Sequence, residues 1–163
     1  MKQDKDDREL QEQFHRMVKE SLFVSADEIP RIDLYMDQVL TFMEEHLKES
    51  TRDPERDKIL TKTMINNYVK NDVLIPPVRK KYGMDHMILL LMVYYLKSYL
   101  SIGDIGQVLK PLQERYAGNG AGKEDGLSLE MIYRTVYENL GDELEAVRTD
   151  ADRQFERARK AFP

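Results

Sequence analysis

The feature that most constrains the fold is a run of ten consecutive apolar residues, Met87 to Leu96, each of them Met, Ile, Leu, Val or Tyr. A membrane-spanning helix needs about 20 such residues, so this run is too short to cross a bilayer. A helix that is apolar on every side is stable only when it is buried on every side. The 163 residues are enough to enclose one such helix in a single core and to add accessory helices.

The composition restricts the setting and the chemistry of the protein. The sequence contains no cysteine, which excludes disulfide frameworks, thiolate nucleophiles and Cys-ligated zinc. The first nine residues are almost entirely charged and include no apolar stretch of the kind that a signal peptide requires. Both observations indicate a reducing environment, and we expect a cytoplasmic protein.

Basic residues are concentrated in one short part of an acidic chain. The net charge of the whole chain is −5, yet residues 58–82 hold six basic side chains and one acidic one. Such an island is the electrostatic footprint expected of a nucleic-acid-binding surface. An ordinary solvated patch is the alternative interpretation. The six basic residues are Lys58, Lys62, Lys70, Arg79, Lys80 and Lys81.

Apolar residues recur at helical spacing in most of the chain, so the predicted fold class is mainly α. Predicted helices span about residues 5–23, 32–49, 62–71, 85–100, 101–112 and 129–162. The fifth should begin at Ser101, which has Asp104 three residues later in a variant of the capping box. Polar and glycine-rich connections are expected at Ser50 to Lys58 and at Gly118 to Gly126.

A short helix followed by a basic hairpin is predicted inside the basic island. Thr61 is a good N-cap, and the apolar residues that follow it predict a buried inner face. Pro76 and Pro77 end any helix, and the alternation from Val78 to Tyr82 favours an extended hairpin. This is the minimal winged-helix arrangement. The predicted outer face of the helix consists of Lys62, Thr63, Asn66, Asn67 and Lys70, and the hairpin tip of Arg79, Lys80 and Lys81.

The last predicted helix carries a long apolar stripe from Leu129 to Phe162. Its mean step is close to the period of a straight α-helix. A helix of this length with an exposed apolar stripe is unstable alone, so it should pack on the body of the protein, on a second subunit, or on both. Gly141 is a candidate point for a kink or a break.

The stretch from Leu60 to Leu112 resembles the MerR-type winged helix-turn-helix. That family reads Thr-Leu-Arg-Tyr-Tyr, then Gly-Leu-Leu-x-Pro, then Tyr-Arg-x-Tyr, then a helix and Gly-Phe-Ser-Leu-x-x-Ile. The same order appears here as 65–69, 73–77, 79–82, 84–100 and 101–105. The exact residue sequence of this stretch resembles a bacterial family known as domain of unknown function 1836. The stretch includes Pro76-Pro77-Val78-Arg79-Lys80-Lys81-Tyr82.

The resemblance implies a sequence-specific DNA-binding transcriptional regulator, with Tyr68 and Lys80 where the family's tyrosine and wing arginine touch the DNA backbone. Two positions depart from the pattern: Asn67 replaces an arginine and Val73 replaces a glycine. The resemblance divides the chain into an N-terminal helix (1–24), a winged-helix domain (25–117) and a linker with a C-terminal helix (118–163). MerR-type regulators are usually dimers, which makes Leu129 to Phe162 a candidate surface for a homodimer.

For a winged helix, the side chains expected in the major groove are those of the short helix, and the hairpin is expected to hold the phosphates. The predicted DNA contacts are Lys62, Thr63, Asn66, Asn67, Tyr68 and Lys70 in the helix and Arg79, Lys80 and Lys81 in the wing. Tyr68 has an equally good alternative role, as core packing between helix and hairpin. For the whole domain, the alternative is a protein-protein interaction module that no longer reads DNA, which the net acidity, Asn67 and Val73 favour.

Catalysis is not expected. The histidines His15, His46 and His86 lie on different predicted helices without metal-ligand spacing. The run from Gly118 to Gly122 is not a phosphate-binding loop, because Lys123 is followed by glutamate. We therefore expect no enzyme activity, no metal and no cofactor.

Overall fold

The computed structural model describes residues 2–20, 23–48, 59–118 and 126–161. Its described part is mainly helical, as predicted, with one two-stranded sheet. The elements, in chain order, are α1 (Lys2–Glu20), a 3₁₀ turn (Ala26–Glu28), β1 (Leu34–Tyr35), α2 (Met36–Leu47), α3 (Lys62–Lys70), β2 (Lys81–Tyr82), α4 (Met84–Leu96), α5 (Ile102–Tyr116) and α6 (Leu129–Ala161).

The described chain forms two compact units. One consists of residues 24–135, and the other of residues 1–23 together with 136–163. Helix α6 contributes its first turns to one unit and its remaining length to the other. The predicted domain boundary at residue 117 therefore lies inside the larger unit.

Helix α4 is the centre of the larger unit. Side chains from every face of its middle turns are fully buried, among them Met87, Leu89, Leu90 and Val93. The prediction of a helix buried on all sides is confirmed. The helix ends at Leu96, four residues before the predicted end, because residues 97–100 turn back to the extended Ser101 that caps α5.

The start of α2 differs from the prediction. The helix was expected to begin near Ile32, but residues 34–35 are extended and pair antiparallel with β2, Leu34 opposite Tyr82 and Tyr35 opposite Lys81. The physical reason is burial across the sheet, since Leu34 and Tyr82 both lie in the core. The inner side of α2 consists of Val39, Phe42, Met43 and Leu47.

The structure also bears on the predictions for α5, α6 and the connections. Ser101 Oγ accepts the backbone N–H of Asp104 at 3.2 Å, so the predicted cap of α5 is confirmed. Helix α6 is continuous through Gly141. The connection predicted at 50–58 lies outside the described residues, as do residues 119–125 of the one predicted at 118–126. Helix α1 spans Lys2–Glu20, and residues 21–22 of the predicted helix 5–23 also lie outside the described residues. Within the described ranges no helix combines the length and apolarity needed to cross a membrane.

Candidate nucleic-acid interface

Helix α3 has two chemically distinct faces. Thr61 caps it as predicted, its Oγ1 accepting the N–H of Met64 at 3.2 Å. Ile65 and Tyr68 point into the core, where Ile65 is fully buried. The opposite face carries the predicted polar residues, and all of them are exposed: Lys62, Thr63, Asn66, Asn67 and Lys70. Spacings of three and four along an α-helix produce this separation.

Tyr68 does not share the outer face of α3. Its side chain is buried in the core, and that burial raises the pKa of its phenol. Its backbone carbonyl accepts the N–H groups of both Val73 and Leu74, at 2.9 and 3.1 Å, and so closes the turn after the helix. Tyr68 therefore has the alternative role, core packing, and it does not belong to the candidate interface.

The turn after α3 reverses the chain at Asp72, directly before Val73. The residue with a left-handed backbone here is Asp72, at φ 56°, and aspartate tolerates this conformation better than most residues. Val73 is free to bury its side chain, and its carbonyl accepts a 2.9 Å hydrogen bond from the buried Gln113 Nε2 of α5. The helix end is thus fixed from a second helix.

The predicted basic hairpin is present, with a tight two-residue turn. Val78 and Lys81 exchange both backbone hydrogen bonds, each 3.0 Å long. The two residues between them have positive φ, 51° at Arg79 and 63° at Lys80, as in a type I′ turn. Both side chains are exposed. Lys81 lies in β2, half-buried, with its Nζ 5.1 Å from the centre of the Tyr35 ring.

The Arg79–Lys80 turn is strained, because both of its residues carry a Cβ and both have positive φ. The left-handed conformation is unfavourable by about 1–2 kcal/mol for a residue with a Cβ, and type I′ turns prefer Asn-Gly. We therefore predict that the double substitution Arg79→Asn/Lys80→Gly raises the free energy of unfolding by about 1–2 kcal/mol, which urea denaturation measures. A matched double substitution to alanine keeps the strain and should give no such gain.

His86 fixes both ends of the segment that contains the hairpin. Its Nδ1 accepts the N–H of Gly83 at 3.0 Å, and its Nε2 lies 2.9 Å from the carbonyl oxygen of Pro76. Because a carbonyl only accepts, the neutral ring must carry its proton on Nε2. The ring also meets the Tyr82 ring edge-on, with 5.5 Å between centroids. Sequence reasoning missed this role, although the Gly-x-x-His spacing is that of a reciprocal helix cap.

The described residues contain no cluster of three or more His, Asp or Glu side chains that could hold a metal ion. Two shallow grooves are present. One, of about 430 Å³, lies between the turn at Asn71 to Val73 and the first half of α5. The other, of about 310 Å³, runs along α2 between Pro30 and Glu45.

The larger unit is a small helical domain with a capped polar helix, a basic hairpin and a buried central helix. A family model described as "Domain of unknown function (DUF1836)" matches residues 24–136, one residue more than that unit. The chain therefore belongs to this family. No curated protein and no solved structure matches the chain.

Proposed function

We propose that this protein is a cytoplasmic, sequence-specific transcriptional regulator that binds double-stranded DNA as a MerR-like winged helix. The observation that carries the proposal is the arrangement of α3 and the hairpin. The helix buries its apolar side and exposes only polar and basic side chains on the other, and the hairpin that follows exposes Arg79 and Lys80 at its tip.

The strain at the hairpin tip supports a functional role. A turn of this type is normally built from asparagine and glycine, which would stabilise it. Strained backbone conformations concentrate at functional sites, where the side chain is needed more than the lost stability. Two long cations held on an exposed turn are well suited to contact phosphates.

The proposal assigns different tasks to the two elements. Arg79 and Lys80 are expected to contact phosphates, which position the protein without reading sequence. Lys62 and Lys70 belong to the face of α3 that is expected to lie in the major groove. Asn66 and Asn67 are expected to read base edges, since an asparagine amide pairs with the donor and acceptor of adenine in the major groove. Thr63 is exposed on the same face of α3 and is the remaining residue of the proposed contact surface. Lys81, half-buried against Tyr35, is a weaker candidate than its two neighbours.

Fluorescence anisotropy with a duplex of mixed sequence tests the proposal. The wild-type protein should bind at low salt with an affinity that falls as salt rises. Arg79→Ala/Lys80→Ala should weaken binding by about tenfold or more, and should reduce the slope of log K against log salt by about 2, one for each lost phosphate contact.

The matched control is Lys48→Ala/Arg115→Ala, which removes the same charge from two exposed positions, one directly after α2 and one on α5. It should leave both the affinity and the salt slope close to wild type. Binding that is absent at low salt, or equally reduced by both double variants, would contradict the proposed interface.

A protein-protein interaction module is the second candidate, and the groove along α2 favours it. Asp37 and Glu45 line the groove together with the apolar Leu34 and Phe42. The exposed Ile32 lies between Pro30 and Leu34, two of the residues that line the groove. Such a surface suits a polypeptide that carries basic and apolar side chains.

A pair of subunits also belongs to the proposal. One α3 and one hairpin cover only a short site, and two copies would double the basic surface and read a symmetric operator. The apolar stripe of α6 is the surface on which such a homodimer would form.

A further inference from the structure

The smaller unit has no interior of its own. It consists of α1 and the part of α6 from Val136 onward. None of its described side chains, at positions 6–19, 23 and 136–161, is buried. Every buried apolar residue of the described chain lies between Val24 and Tyr133. Two helices without a fully buried side chain gain little stability from packing on each other.

Polar contacts align the two helices. Gln11 Nε2 donates to Asp152 Oδ1 at 2.6 Å, and His15 Nε2 lies 2.6 Å from the same oxygen. Gln11 Oε1 in turn accepts from Arg159 Nη2 at 2.8 Å. Since α1 contacts later residues of α6 with its earlier residues, the two helices run antiparallel.

A row of large apolar side chains on this helix pair is open to solvent. Four of them have exposed fractions between 47% and 57%: Leu10, Met17, Val136 and Val147. Others are half-buried, among them Phe14, Leu140, Leu144 and Phe155. The apolar side chains of α1 and α6 are therefore only partly covered by the contact between the two helices.

We infer that a second copy of this chain covers the stripe, so that two α1/α6 pairs form a four-helix bundle. Four antiparallel helices enclose a core that two helices cannot. In a twofold dimer the same surface of each chain covers that of the other, so no copy of the stripe remains exposed.

The charges along α6 identify the second copy as the occupant and set its direction. Residues 138–152 carry six acidic side chains and one basic, whereas residues 153–160 carry four basic and one acidic. If two α6 helices cross antiparallel, the basic end of each lies beside the acidic stretch of the other. A parallel crossing would place like charges together and is disfavoured.

The structure also changes the limits of the homodimer surface that the sequence predicted at Leu129 to Phe162. Leu129 and Tyr133 lie in the core of the larger unit, where the Tyr133 hydroxyl donates to the carbonyl of Val24 at 2.5 Å. They are not available to a partner. The surface thus begins near Val136 and includes α1, and Phe162 lies outside the described residues. This inference deepens the proposed pairing of subunits and rests on it, but it does not depend on DNA.

Light scattering on the full chain, without DNA, measures the mass directly. One chain has a mass of 19.2 kDa, and we expect twice this value. Val147→Glu should shift the mass towards that of one chain. Val108→Glu is the matched control, because Val108 is equally exposed at 51% but lies on α5 in the other unit. A wild-type protein that stays at 19.2 kDa at micromolar concentration would overturn the inference.

Paired charge reversals test the direction on exposed positions, where the fold should tolerate them. Arg153→Glu/Arg157→Glu and Asp142→Lys/Glu143→Lys should each weaken self-association at low salt, because each places like charges across the antiparallel crossing. An equimolar mixture of the two variants should restore the dimer. An Arg153→Glu/Arg157→Glu protein that dimerises as tightly as wild type would rule out the antiparallel crossing. Because no DNA is present, these results are independent of whether α3 binds it.

Discussion

Replacing Ile65 by alanine is expected to lower the free energy of unfolding by about 2–5 kcal/mol. Ile65 is the fully buried residue on the inner face of α3, and truncating it leaves a cavity between this helix and the core. The loss should appear as a reduced midpoint in urea denaturation with an unchanged slope.

The adjacent residue supplies the control for this prediction. Asn66 is exposed on the outer face of α3, so Asn66→Ala should change the free energy of unfolding by no more than about 0.5 kcal/mol. The same substitution should weaken binding to a preferred DNA site by about 1–3 kcal/mol. If Asn66→Ala destabilised the fold as much as Ile65→Ala, the two-faced description of α3 would be wrong.

Replacing His86 by leucine should destabilise the protein by about 2–5 kcal/mol, since it leaves two backbone groups without their partners. The N–H of Gly83 and the carbonyl of Pro76 both bond to the imidazole, one on each side of the hairpin. Chemical denaturation measures the loss. DNA affinity should also fall, because the hairpin is no longer held at both ends.

A second substitution at His86 separates the contribution of its hydrogen bond to Gly83 from that of its side-chain volume. His86→Gln retains a side chain that can accept the N–H of Gly83, as glutamine does at this position of a capping box, but leaves Pro76 unpaired. It should lie between wild type and His86→Leu in stability. His46→Leu, on the exposed side of α2, should have little effect. Equal losses for the leucine and glutamine variants would show that the bond to Gly83 contributes nothing.

Local patterns predicted much of the helical structure. The uninterrupted apolar run defines α4, and Thr61 and Ser101 mark the starts of α3 and α5, because each of these signals lies within a few residues of its effect. The start of α2 was misjudged because Leu34 pairs with Tyr82, which is distant in sequence. Such pairing leaves no local trace.

The two faces of α3 and the hairpin that follows were predicted in outline but not in detail. Helical spacing separated Asn66 and Lys70 from Ile65, and the same spacing could not decide whether Tyr68 faces a ligand or the core. The left-handed turn at Arg79 and Lys80 runs against residue preferences, so sequence rules do not find it. Gln113 acts 40 residues away, through a bond to the backbone of Val73 that only the folded chain shows.

The most direct measurement of the central claim is an NMR titration of the labelled protein with a short duplex, read residue by residue. Binding through α3 and the hairpin predicts amide shifts at residues 62–70 and 79–81, with little change along Asp37 to Glu45. No shifts at low salt would contradict DNA binding. Shifts confined to α2 would contradict the proposed interface and would favour the protein-interaction alternative.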